Sequence, residues 1–556
     1  MKFHSIIAIV IIFFAAFFCL MGIKWGLPGN EIKKFSMSFR EIPQEYIKNA
    51  WQISKEKQDQ KLPRSIFNPI RSFHPDEQNI LKSIASMSVE KFDFNPHFFE
   101  YPSAQIYLVA ITLKILSSLN LITLKSDIGY YFEHPEEMSK IYLAGRMLTV
   151  MMAIAALTFF IFIATCLCGK KGGIFAAACL GLSPLYIINS HYMTVDIPMV
   201  FWIIASLFFS ILFLMKKKKY LFVLAAFSAG VACGTKYPGG IVIFILPFFY
   251  KELFQDSRKK LFQYFFLSLL IFLLAFFITT PYSLLSFSEF KRDILYQAGC
   301  RGISSNIFFN FIKFFADATG GLWAGSFLIS PIFLISIFFQ MRRRNLLDRL
   351  ILSSIVLSMV PLMASGGFKY ARYYLLILPF LCLSAGCIFE EFFRIRNKNV
   401  KFLLISISLI FLLGMVSKTA AYSILMSKKD IRIIAAEFFD TSVPENSNVI
   451  FTKDPWIFEV PPVNQVKYKI NVVEEDKVVQ VNSGSFLVIG ELQYFLTSGN
   501  RNKLMNEKIQ KFQSYGFILK QYFEKSPCIG RINYDQGWTI HDMIYTHPRI
   551  FVFYKP

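Results

Sequence analysis

Residues 190–219 read SHYMTVDIPMVFWIIASLFFSILFLMKKKK. From Ile197 to Met215 the stretch carries no charge, while His191 and Asp196 lie just before it and four lysines, Lys216 to Lys219, just after. An uncharged apolar run of this length matches the hydrocarbon core of a bilayer, about 30 Å thick. A lysine cluster at one end of such a run marks its cytoplasmic end. The stretch therefore reads as a membrane span with a polar, ionisable outer end.

The same pattern recurs along the 556-residue chain. Expected spans cover 5–23, 143–167, 173–190, 197–215, 220–235, 239–250, 261–279, 320–340, 348–364, 374–391 and 402–424. Composition agrees: 54% of residues are hydrophobic and 17% are charged, against about a quarter charged in soluble proteins. The net charge of +22 sits in short loops, at Lys170–Lys171, Lys216–Lys219, Lys251 with Arg258–Lys260, Arg342–Arg344 and Arg394–Lys401. With the N-terminus inside, all five loops fall inside, so the excess follows the positive-inside rule rather than marking a nucleic-acid surface. The chain is thus expected to be a polytopic α-helical membrane protein of about 11–13 spans. Residues 1–424 form its membrane part and 425–556 a small external α/β region.

The first span reads as uncleaved. Seven cysteines lie in or beside apolar runs; Cys300 and Cys528 fall in outer segments, and a disulfide between them stays open. Within the first outer loop, 24–142, the run 103–124 places Ser103, Tyr107, Lys114 and Ser118 on one helical face. That spacing suggests an interfacial helix, the other reading being a span with a snorkelling lysine. In the external region, Asn448 to Thr452, Phe486 to Ile489 and Ile550 to Tyr554 read as strands, and Asp430 to Phe439 and Lys503 to Tyr515 as helices.

Chemistry-bearing residues gather at the outer ends of the spans. The first loop holds His74-Pro75-Asp76-Glu77 and returns to the membrane through Glu100-Tyr101-Pro102. Carboxylates beside an apolar interface suit general-base work, although acids in a first helical turn also complement the helix dipole. Arg146, His191, Asp196, Lys236, Tyr237, Lys369, Arg372 and Tyr373 share the side of Asp76 in this topology. Ionisable groups there are functional candidates by default, set against bases that only snorkel to headgroups. Lys236, Arg372 and Arg146 suit a phosphate, arginine through its two-pronged fork. No nucleotide-binding fingerprint stands out.

The ordered set His74-Pro75-Asp76-Glu77, Glu100-Tyr101-Pro102, Gly145-Arg146, Ser190 to Pro198, Gly234 to Gly239, Thr280-Pro281-Tyr282 and Ala371-Arg372-Tyr373-Tyr374 resembles the GT-C glycosyltransferases of family 39 type. These include the protein O-mannosyltransferases and the lipid A aminoarabinose transferases. The resemblance covers about residues 1–440 and implies a GT-C fold and a polyprenyl-phosphate sugar as donor. It implies Asp76 as catalytic base, Glu77 as a group orienting the acceptor or the base, and Asp196 as a second acid. Lys236, Arg372 and Arg146 would meet the donor phosphate, supported by His74, Tyr101, His191, Tyr237 and Tyr373. No cofactor is required; His74, His97 and Glu100 are the residues a divalent metal would use, at a spacing that matches no strong site. The trefoil repeats of eukaryotic protein O-mannosyltransferases are not visible, so a lipid, glycan or protein acceptor stays open. The expected place is a bacterial inner membrane with the C-terminal region outside. Two other readings are a multispanning transporter or flippase of a lipid-linked substrate and a non-catalytic scaffold.

Overall fold

The computed structural model describes residues 3–36, 41–42, 68–253, 257–301, 330–343, 345–364, 370–496, 498–535 and 538–556. Part of the expected span 320–340, together with Lys369 and the side chain of Cys300, lies outside the described residues. The chain forms two compact units. One comprises Met1–Leu20, Phe98–Ala110 and Arg146–Ala420; the other comprises Met21–His97, Ile111–Gly145 and Ala421–Pro556.

The first unit is helical. Among the described residues, five helices are long and apolar enough to cross a membrane, or six if one bent pair counts as a span. Helix Arg258–Thr279 shows why: only Ser268 and Ala275 are buried. Phe262, Phe266, Leu270, Leu274 and Ile278, four residues apart, form an exposed apolar stripe. Such a stripe is unfavourable in water and suited to lipid. The expected span 173–190 is the bent pair, Lys170–Gly181 and Pro184–Ser190, with a 51° break. Pro184 cannot continue the first helix, and the freed Leu182 carbonyl accepts from Thr419 Oγ1 at 2.7 Å.

Helix Asp196–Lys216 starts with an acid and a proline in its first turn and ends at Lys217 in the left-handed region (φ 56°). Helix Lys219–Thr235 stops at Lys236, whose backbone is extended, and a 3₁₀ segment, Tyr237–Phe244, follows. Gly239 permits this turn: a Cβ there would lie 2.6 Å from the Ala232 carbonyl oxygen. A second 3₁₀ segment, Ala371–Leu376, precedes helix Leu378–Phe392. Both breaks fall beside a basic residue.

The run 103–124 folds as Ala104–Ser118. Its 15 residues span about 22 Å, short of a hydrocarbon core. The separate polar face expected there does not form. Ser103 is buried, its N–H donating to Thr280 Oγ1 at 3.4 Å, while Lys114 shares an exposed stripe with Ile111 and Ile115.

The second unit carries a five-stranded mixed sheet, ordered Lys469–Val472, Asn448–Phe451, Phe486–Gly490, Ile550–Tyr554 and Ile518–Phe523. The first three strands are parallel and the last two pairings antiparallel. Helix Ile431–Ser442 packs on one face through Ile431, Ala435 and Phe439. Helix Arg501–Ser514 packs on the other through Met505 and Phe512. The central strand Phe486–Gly490 is buried throughout, as a strand covered on both faces must be. The three strands and two helices expected in this region are all present, within two or three residues.

Candidate active site

In the first unit, a charged cluster forms where the two 3₁₀ breaks meet the start of helix Asp196–Lys216. Lys236 Nζ lies 2.5 Å from Asp196 Oδ1, and Arg372 Nε lies 3.9 Å from Asp196 Oδ2. The three side chains are 3–7% exposed. Tyr373 stands beside both cations, its ring centre 4.8 Å from Lys236 Nζ and 5.8 Å from the Arg372 guanidinium. Tyr370 stacks closer on Arg372, at 4.1 Å. Burying charges is costly unless they are paired. The break after Thr235 carries Lys236 to the carboxylate at the helix start, where the dipole also favours an anion.

This cluster opens onto a small cavity of about 30 Å³. Asp196, Lys236 and Tyr373 supply its polar side, and Met199, Pro361, Leu362 and Leu376 its apolar side. A charged end and a hydrocarbon wall thus share one hollow.

Tyr237, next to Lys236, turns elsewhere. Its hydroxyl donates to the Phe99 carbonyl at 2.8 Å. The Phe99 N–H donates to Asp293 Oδ2 at 3.0 Å, and Gln297 Nε2 donates to Glu100 Oε2 at 2.6 Å. Tyr101 packs edge-on against Phe98. The Phe99-Glu100-Tyr101 segment is therefore pinned by Tyr237 and by Asp293 and Gln297 on helix Phe287–Arg301. Sequence reading does not select Asp293 or Gln297, because the burial of Asp293 is set by tertiary packing. Arg146 is fully buried, with its guanidinium 5.9 Å from the Tyr192 ring centre. His191 is also fully buried, and its Nδ1–H donates to the Ile187 carbonyl at 2.8 Å.

In the second unit, the loop before helix Glu77–Ala85 separates the two adjacent acids. Glu77 is fully buried and accepts from Ser72 Oγ at 2.6 Å. Asp76, at the N-cap, is partly exposed and its side chain makes no capping hydrogen bond. His74 is buried, and its Nδ1 accepts from the Asp76 N–H at 3.3 Å. The Tyr545 ring stands edge-on to the imidazole at 5.5 Å. Glu77 braces the loop, while Asp76 stays partly exposed. Among the described residues, no three of His, Cys, Asp and Glu converge as a metal centre.

Residues 139–284 match the dolichyl-phosphate-mannose-protein mannosyltransferase family. That segment contains Arg146, His191, Asp196, Lys236 and Tyr237, but neither Asp76 nor Arg372. An uncharacterized protein of Aquifex aeolicus (strain VF5) is 32% identical over 110 residues, 19% of this chain. The matched stretch spans 21% of that relative's length. Among solved structures, ArnT from Cupriavidus metallidurans bound to undecaprenyl phosphate aligns over 99% of this chain and 97% of its own, at 10% identity and a TM-score of 0.44. The apo oligosaccharyltransferase of Archaeoglobus fulgidus aligns over 91% and 69%, at 12% identity and a TM-score of 0.44.

Proposed function

We propose, taking as premise that residues 139–284 are those of a GT-C glycosyltransferase of the mannosyltransferase family, that the chain transfers a sugar from a polyprenyl-phosphate donor to an acceptor hydroxyl. The observation that carries this reading is the cavity that joins Lys236 and Asp196 to an apolar wall. An anionic headgroup on a hydrocarbon tail needs that combination, and a water-soluble nucleotide sugar does not.

In the proposed reaction, Asp76 takes the proton of the acceptor hydroxyl as its oxygen attacks the anomeric carbon. The bond to the phosphate oxygen breaks, and polyprenyl phosphate leaves with its charge met by Lys236 and Arg372. One displacement inverts the anomeric configuration. General-base help contributes roughly 10²–10⁴-fold, and charge stabilisation at the leaving phosphate several kcal/mol. Asp196 sets the positions of the two cations. Residues 1–424 form the membrane part and 425–556 lie on the outer side; the acceptor is a lipid, a glycan or a protein.

The test is transfer by the full chain in proteoliposomes, offering radiolabelled polyprenyl-phosphate sugars and membrane extract as acceptor. Wild type is expected to move label to a new species, and Asp76→Asn to lose transfer while still binding donor. Normal turnover in Asp76→Asn would remove Asp76 as base. Absence of both binding and transfer with every lipid-linked sugar would overturn the donor class.

A further inference from the structure

We propose that the C-terminal region fixes the Asp76 loop through a buried bracket, Asp430–Arg432, and that Tyr545 is the positioning residue linking this bracket to His74 and so to Asp76. The inference rests on the reading of Asp76 as the base, and adds to it the reason that a sheet region accompanies the membrane helices.

Arg432 is completely buried at the start of helix Ile431–Ser442. Its Nε and Nη2 fork onto the Asp430 carboxylate at 2.7 and 2.6 Å. Nη1 donates to the Phe458 carbonyl at 2.5 Å, and Nη2 also to the Tyr545 carbonyl at 2.9 Å. The guanidinium faces the Phe73 ring at 4.3 Å and the Trp25 ring at 5.4 Å. Trp25 Nε1–H donates to Asp430 Oδ2 at 3.0 Å, and the Phe73 N–H donates to the Gly26 carbonyl at 2.9 Å. A buried guanidinium is tolerable only when its donors are matched, and such a matched network holds its partners in one arrangement.

Two features aim this bracket at the loop. Phe73, which stacks on the cation, immediately precedes His74. Tyr545 serves both sides: its carbonyl accepts from Arg432, and its ring braces the His74 imidazole. His74 in turn accepts from the Asp76 N–H. The path from sheet region to candidate base is continuous and runs within one unit.

The experiment compares the full-length protein with Tyr545→Leu and Tyr545→Phe in nanodiscs. Tyr545→Leu keeps the backbone carbonyl that Arg432 uses, so the bracket survives while the ring against His74 is lost. The first readout is kcat and KM for the polyprenyl-phosphate sugar; the second is hydrogen exchange of amides 73–80 against those of strand Phe486–Gly490. Misplacement of a catalytic group by about an ångström costs on the order of 100-fold. Tyr545→Leu is therefore expected to lose about 10- to 100-fold in kcat with donor KM unchanged, and to exchange faster at 73–80 alone. Tyr545→Phe, which keeps the ring, is expected to restore most of kcat. Unchanged kcat in Tyr545→Leu overturns the proposal, as does faster exchange in the strand as well, which would mean general loosening. Should wild type use no lipid-linked sugar, the reading of Asp76 as base fails separately. The exchange arm then decides alone: faster exchange confined to 73–80 supports the bracket, and unchanged exchange removes it.

Discussion

At the scale of single residues, the adjacent acids and the buried cations divide their work by environment. Asp76 and Glu77 are neighbours in sequence, yet one is partly exposed and the other is buried on Ser72. Glu77→Gln keeps the shape of that contact and is expected to lower transfer by less than Asp76→Asn, with a drop in thermal stability; kcat and unfolding temperature measured together check this. Removing one partner of a buried pair costs about 3–5 kcal/mol, because the other charge is left uncompensated. Asp196→Asn, which strands Lys236 beside Arg372, is thus expected to destabilise the protein by that order. Lys236→Met is expected to weaken binding of polyprenyl phosphate at least about tenfold, since a charge-assisted contact of about 1.5–3 kcal/mol is lost. Equilibrium binding of the lipid phosphate measures it, and unchanged affinity would remove Lys236 from the donor site. The types of these residues were legible in the sequence, because ionisable groups beside apolar runs stand out. That Lys236 reaches Asp196, and Tyr237 reaches Phe99, was not legible: side-chain partners distant in the chain leave no local trace.

At the scale of elements, close backbone approach and buried polar networks set what can change. Gly172 and Gly386 face each other on helices Lys170–Gly181 and Leu378–Phe392, and a Cβ at Gly172 would lie 2.2 Å from the Gly386 carbonyl oxygen. Gly172→Val is expected to force the helices apart at a cost of roughly 1–3 kcal/mol or more, seen as a lowered unfolding temperature in detergent. In the sheet region, Glu491 accepts from Arg501 Nε at 2.8 Å and from Arg549 Nη2 at 2.6 Å, tying a 3₁₀ turn to a helix and a strand. Burial opposes its ionisation, but the two arginines prevail and hold its pKa below the ordinary value. Burial also lowers the pKa of His547, against the upward pull of Asp535. Both shifts have one sign. Below the ordinary histidine value of 6.5, the unfolded chain takes up a proton that folded His547 refuses. Below 4.5 the same holds for Glu491. Stability of this region is therefore expected to fall with acidification, first below about pH 6.5 and more steeply below 4.5. Hydrogen exchange of strand Ile550–Tyr554 across this range reads it, and Glu491→Gln should flatten the lower part.

At the scale of the whole molecule, the positive-inside pattern predicts an outer location for the sheet region. Cys528 is exposed in that region and, among the described residues, is unpaired. A membrane-impermeant maleimide is expected to label it in intact cells, with the site located by mass spectrometry. Labelling only after permeabilisation would invert the topology and move the proposed chemistry to the cytoplasmic face. The sequence by itself determined the order of apolar helices, the basic loops and the alternation of strand and helix after residue 430, because hydropathy and periodicity are properties of neighbouring residues. It also placed Lys236 between two apolar runs, beside Pro238-Gly239-Gly240, and Arg372 just before another run. Only the tertiary structure decided which carboxylate receives which cation, that Asp293 and Gln297 hold the Phe99-Glu100 segment, and that Arg432 gathers Trp25, Phe73 and Tyr545 around one charge. Those pairings form because a buried charge must find a partner wherever the packed chain brings one, and distance along the sequence has no part in that requirement.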